Sequence, residues 1–139
     1  MVDIERLLVA LLRADAEVDD FFDSAIWVDL PDKSPRPVCR ISQLGGVSDN
    51  SAQPPWLNRP SVDFDVWAVT KHDAFEGMSI VRRVLLAAPR EQTFWDYGEL
   101  VYVSAAFPAY LPDSDWPVNG QPGPRYHMTT RITAHPTRS

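Results

Sequence analysis

The stretch PSVDFDVWAVTKHDA, residues 60–74, decides the fold. Val62, Phe64, Val66 and Ala68 alternate with Asp63, Asp65, Trp67 and Val69, the period-2 pattern of a strand with one apolar face. At Thr70 the period changes. The Thr70 hydroxyl is suited to accept from the backbone N–H three residues on, and Asp73 favours the positive end of a helix. Ala74, Gly77, Met78, Val81, Val84, Leu85 and Ala88 then form an apolar stripe at helical spacing, and Pro89 is expected to stop it. A strand that runs into an amphipathic helix calls for a sheet on which both bury their apolar sides. Its opposite face sets a second problem. Asp63 and Asp65 lie two residues apart beside Trp67, which suits either a metal or acid–base site or a contact surface.

Upstream, Ile4, Leu7, Leu8, Leu11 and Leu12 mark a helix over residues 3–15, with Asp3 as N-cap and Glu5 in the favourable first turn. The polar stretch DAEVDD ends it. A short strand is expected over residues 25–30 (AIWVDL), stopped by Pro31, and a second over 37–44 (PVCRISQL). Residues 47–60 form a loop with three prolines and no periodicity. Downstream, residues 99–110 read as one strand, Val101, Val103, Ala105 and Phe107 alternating with Leu100, Tyr102 and Ser104. Residues 108–125 are a second Pro-rich loop. The last strand is the cleanest alternation: Tyr126, Met128, Thr130, Ile132 and Ala134 face one way, and His127, Thr129, Arg131 and Thr133 the other. Residues 135–139 are a frayed tail. The order predicts an α+β fold over 1–139 as one domain, a mainly antiparallel sheet with two helices on one face and long Pro-rich loops.

Composition narrows the function classes. With 139 residues, 45% apolar and 23% charged, the chain suits a globular domain with one core. The opening MVDIERLLVALLRADAE is acidic and amphipathic, so a signal peptide is not expected, and no apolar run is long enough to cross a membrane. The net charge of -6 argues against a sequence-independent DNA binder, which needs a basic surface. The single cysteine, Cys39, excludes an internal disulfide and reads as a buried small hydrophobe. The 13 prolines against 6 glycines imply stiff, irregular connections.

Signatures of chemistry are sparse. Asp63 and Asp65 share a strand face and so form a candidate pair for a hard cation such as Mg²⁺, but a bare D-x-D is common on solvated faces. His72, His127 and His135 lack the spacing of a zinc set. No G-x-S-x-G elbow and no Gly-rich phosphate loop occur, and no catalytic residue, metal ligand or cofactor is assigned. The tryptophans say more. Trp56 and Trp116 lie in the Pro-rich loops and Trp67 lies off the core face, where large aromatics favour protein contacts. Asp63 and Asp65 are suited to meet Arg40 or Arg131, across strands or across subunits. These features favour an assembly protein over an enzyme.

The helix at the start, PVCRISQLGG, the segment RPSVDFDVWAVTKHDAFEGMSIVRRVLLAA and the closing GPRYHMTTRITAH together resemble the tail terminator, or tail completion, proteins of long non-contractile-tailed bacteriophages. The likeness spans about residues 1–135 and rests on a pattern of strands, Trp67 and the Pro-Arg-Tyr run at 124–126. It implies an α+β subunit made in the host cytoplasm and incorporated in the virion. Such subunits form a hexameric ring on the head-proximal end of the tail tube, stop tube polymerisation and dock the head-completion or stopper protein. DNA passes through the lumen without specific binding, and no cofactor or active site is implied. The acidic balance fits a lumen that repels phosphate. Two other readings stand beside it: another neck protein that joins head to tail, and a small metal-dependent hydrolase using Asp63 and Asp65.

Overall fold

The computed structural model describes residues 3–23, 25–28, 37–44, 60–91, 99–114 and 123–135. The first helix, α1 (Ile4–Ala14), begins where expected, with the Asp3 carboxylate accepting from the Arg6 amide at 3.2 Å. Its five-residue apolar stripe is buried throughout. The polar run that follows is a second helix, α2 (Ala16–Phe22), where an end had been expected. Asp15 explains the difference. It closes α1, and its carboxylate caps α2 by accepting from the amides of Glu17 and Val18 at 3.0 and 3.1 Å. Val18 and Phe22, four apart, supply the buried contact. The helix ends on Asp23 in the left-handed conformation (φ 51°), which short polar side chains tolerate.

Among the described residues six strands form one sheet: β1 (Ile26–Trp27), β2 (Val38–Leu44), β3 (Ser61–Trp67), β4 (Glu99–Ala105), β5 (Ala109–Ser114) and β6 (Gly123–His135). Their spatial order is β1-β2-β3-β6-β4, with β5 also paired to β6. The β1–β2 pair is parallel and the others antiparallel. The long helix α3 (Lys71–Glu91) packs on β3, β4 and β6, while α1 packs on β1 and β2. The fold is α+β, with three helices among the described residues where the sequence predicts two.

The opening stretch folds as its periodicities require. Val62, Phe64, Val66 and Ala68 are fully buried, and so is nearly all of the matching β6 face from Tyr126 to Ala134. Thr130, the polar member of that face, donates its hydroxyl to the Val62 carbonyl at 2.9 Å. Thr70 caps α3 by accepting from the Asp73 amide at 3.1 Å. The helix runs through Pro89 to Glu91 rather than stopping. Pro89 sits in the last turn, where its missing N–H forfeits one bond and leaves the earlier ones intact.

Two strand assignments change. A β-bulge between Leu100 and Tyr102 breaks the alternation expected for 99–110, so that Leu100 and Val103 are buried while Val101 and Tyr102 are both exposed. The chain then leaves β4 at residues 106–108, and Phe107 is exposed rather than strand-borne. The second Pro-rich loop contains β5 and the first three residues of β6. Its residues 115–122, and most of the first Pro-rich loop, lie outside the described residues.

Gly77 marks where α2 meets α3. A Cβ there would lie 2.7 Å from the Phe21 ring, 3.0 Å from the Phe22 ring and 3.1 Å from Val66. Alanine improves helix propensity by about 1 kcal/mol, whereas overpacking costs roughly 1–3 kcal/mol. Gly77→Ala is therefore expected to be destabilising by about 1 kcal/mol in urea unfolding. A gain in stability would show that the two phenylalanines yield freely.

Candidate functional site

The sheet face turned away from α3 carries the polar residues of β2, β3 and β6. Strand register places Arg40 opposite Asp65 and Asp65 opposite His127, one row across three strands. In the neighbouring rows Trp67 stands opposite Arg125, and Asp63 opposite both Ser42 and Thr129.

Asp65 is the centre of this arrangement, with 2% of its surface exposed. Arg40 Nη2 donates to Asp65 Oδ2 at 3.0 Å, and His127 Nδ1 lies 2.8 Å from Oδ1. Arg125 Nε lies 3.7 Å from the same Oδ1. An ionised carboxylate only accepts, so His127 Nδ1 carries the proton of their bond. The other ring nitrogen, Nε2, lies 3.4 Å from Thr129 Oγ1 and 3.7 Å from Asp63 Oδ2. Trp67 is fully buried on this face, with the Arg40 and Arg125 guanidiniums 5.1 and 5.4 Å from its ring. Each arginine therefore neutralises Asp65 and covers Trp67 at once.

The two aspartates have different environments. Asp65 is locked by three cationic or donor groups. Asp63 keeps about a fifth of its side-chain surface, and its Oδ1 has no hydrogen-bond partner among the described residues. Of the arginines proposed as partners, Arg40 joins Asp65. Arg131 lies opposite Ser61 and Ser104, exposed, and pairs with neither aspartate among the described residues. Trp67 lies on the expected face but is buried inside the subunit. Trp56 and Trp116 lie outside the described residues. His127 and Arg125 complete the cluster and were not singled out as partners in the sequence. Their signal is positional: antiparallel pairing of residues 61–67 with 125–131 sets both beside Asp65 or Trp67.

The arrangement limits the chemistry. Thr129, His127 and Asp65 form an alcohol–imidazole–carboxylate chain, the wiring of an activated nucleophile. Asp63, however, competes for His127 Nε2, and the nearby guanidiniums are engaged with Asp65 and Trp67. As a cation site the Asp63–Asp65 pair is weak, because both Asp65 oxygens already accept from Arg40 and His127. Among the described residues no three His, Cys, Asp or Glu side chains converge to hold a metal ion.

Cys39 lies on the core side of β2, fully buried. Burial pushes its thiol well above the ordinary range; the Asp65 charge adds to this and Arg40 opposes it. Folding thus holds the proton on Cys39. Its contribution to stability is complete below the unfolded thiol value of about 8.5 and declines as pH rises past it. An aromatic disulfide reagent is expected to leave Cys39 unmodified in the native protein and to modify it fully in denaturant. Rapid labelling of the native protein would contradict this burial.

No known protein family matches the chain, and no curated protein matches it. A solved structure does: a chain from the virion of a native gene transfer agent particle. The two superpose with a TM-score of 0.59, over 95% of this chain and 94% of that one, at 18% sequence identity. At that identity the likeness is one of fold.

Proposed function

We propose that this protein is a structural subunit of a phage-like virion, and within it a tail terminator. Its subunits form a hexameric ring that caps the head-proximal end of the tail tube, ends tube growth and receives the head-completion or stopper protein. The observation that carries this reading is the fold shared with a gene transfer agent virion chain across nearly the whole of both chains. The resemblance of the sequence to tail terminators points the same way. A ring requires a heterologous contact, one patch meeting a different patch on the next copy, with closure stopping growth.

The polar sheet face fits a docking surface better than an active centre. Arg40, Asp65 and Trp67 hold it rigid from within, and the partly exposed Asp63, beside His127, and the exposed Arg131 are the charges it presents to a protein partner. Charge pairs at such a surface fix register and speed encounter. Reversing both aspartates together would test folding as much as docking, because Asp65 is internal. Asp63→Lys is the cleaner probe.

Purified protein added to isolated tail tubes and imaged by negative stain tests the proposal. A six-fold ring at the head-proximal end is the expected result. Binding to the head vertex instead of the tube would favour a joining or stopper protein. A protein that forms no ring and binds neither would overturn the reading.

A further inference from the structure

Two histidine–carboxylate pairs with the same 3.7 Å separation occur among the described residues, in different surroundings. On the surface of α3, His72 Nε2 meets Glu76 Oε2 four residues on, with 81% and 52% of their side chains exposed. On the sheet face, His127 Nε2 meets Asp63 Oδ2 across the β3–β6 pairing, with 31% and 19% exposed. The second pair is held from behind. His127 Nδ1 donates to Asp65 Oδ1 at 2.8 Å, and Arg40 and deep burial fix that carboxylate in turn. A neutral imidazole that donates from Nδ1 has only a lone pair at Nε2.

That lone pair and the Asp63 carboxylate are therefore two acceptors beside one point. The Thr129 hydroxyl lies 3.4 Å from Nε2, long for a hydrogen bond. Asp63 Oδ1 is buried and has no hydrogen-bond partner among the described residues. The neighbouring guanidiniums are directed elsewhere: Arg40 bonds Asp65, and Arg40 and Arg125 lie against Trp67. Such an electron-rich point suits a cation. Imidazole nitrogen beside carboxylate oxygen suits Zn²⁺ and its neighbours in the transition series. A carboxylate behind the other ring nitrogen is the usual support of a metal-ligating histidine. Zn²⁺ bonds of about 2.1 Å to each donor set the two roughly 3.4 Å apart at a tetrahedral angle, close to the separation found.

We propose that His127 Nε2 and the Asp63 carboxylate bind a divalent transition-metal ion of the Zn²⁺ class, with Asp65 orienting the imidazole. The exposed Thr129 and Ser42, which stand opposite Asp63 on β6 and β2, border the ion, and water completes its coordination. Asp65 is a support here and not a ligand, which separates this site from the Asp63–Asp65 pair. Two protein ligands make an open, exchangeable site rather than a closed structural centre. The bound ion ties β3 to β6. The site is independent of ring formation.

The test uses chelator-stripped full-length protein, ZnCl₂ titrated by calorimetry, and thermal unfolding with and without Zn²⁺. The parent is compared with Asp63→Asn, His127→Gln and His72→Ala, and circular dichroism checks each fold. In the parent, the tightest site is expected to take one ion per chain, and Tm is expected to rise with Zn²⁺ concentration. Asp63→Asn and His127→Gln should weaken that site at least about tenfold and abolish the rise in Tm. His72→Ala should match the parent. Asp63→Asn is nearly isosteric at a partly solvated position, so it decides the matter if His127→Gln does not fold. A parent that shows no saturable binding, a site unchanged in Asp63→Asn, or a site lost in His72→Ala overturns the proposal.

Discussion

Asp65→Ala is expected to lower the unfolding free energy by about 3 kcal/mol. Removing the carboxylate leaves Arg40, Arg125 and His127 around one buried point without their shared anion. Breaking one side of a buried ion pair costs roughly 3–5 kcal/mol. The lower end applies because Arg40, Arg125 and His127 retain 26%, 23% and 31% of their side-chain exposure, and water relieves part of the penalty. Asp65→Asn should fall between parent and alanine, because the amide oxygen still accepts one bond. Asp63→Ala is expected to cost under about 1 kcal/mol, since that carboxylate is partly solvated. Urea denaturation of the four proteins measures the order. Equal losses at 63 and 65 would mean that the carboxylates act as one solvated pair.

Trp67→Ala should be costlier still, about 3–5 kcal/mol. The side chain is fully buried, and its loss opens a large cavity beside the two guanidiniums that lie against its ring. Volume alone would explain a large effect, so the informative comparison is Trp67→Phe against Trp67→Leu. Both shrink the side chain, but phenylalanine keeps a ring face for Arg40 and Arg125. A difference of about 1 kcal/mol in favour of phenylalanine is expected from the cation–π contacts. Equal stabilities would reduce Trp67 to a filler of space.

Much of the fold is legible wherever one apolar period persists. The stripes of α1 and α3 and the alternation of β3 and β6 are long enough that a single buried face dominates every local preference. Departures occur where a few residues decide. α2 is seven residues long and mostly acidic; what makes it a helix is Asp15 capping and the Val18–Phe22 pair. The bulge at Leu100–Tyr102 shifts the phase of β4 by one residue, which no alternation pattern reveals. β5 contains a proline and follows another, the usual marks of a loop, yet its inner edge finds β6.

The candidate site follows the same division. Placing Asp63, Asp65 and Trp67 on one strand face needs only period 2, and Arg40 lies on the adjacent predicted strand. Knowing that His127 and Arg125, rather than Arg131, reach Asp65 needs the β3–β6 register. That register pairs segments some sixty residues apart along the chain, and several alignments satisfy the same alternation. The Arg40 and Arg125 guanidiniums that lie against the buried Trp67 come from two other strands, a tertiary arrangement that local pattern does not encode.

The thirteen-residue β6 has a consequence for the time course of folding. It is synthesised after every strand it joins, and among the described residues it alone connects β4 and β5 to the rest of the sheet. Before β6 arrives, α1, α2 and the β1–β3 region can gather, but β4 and β5 have no sheet to enter. A newly made chain therefore completes its sheet only after its last strand is made, with the β4–β5 edge among the last parts to take shape.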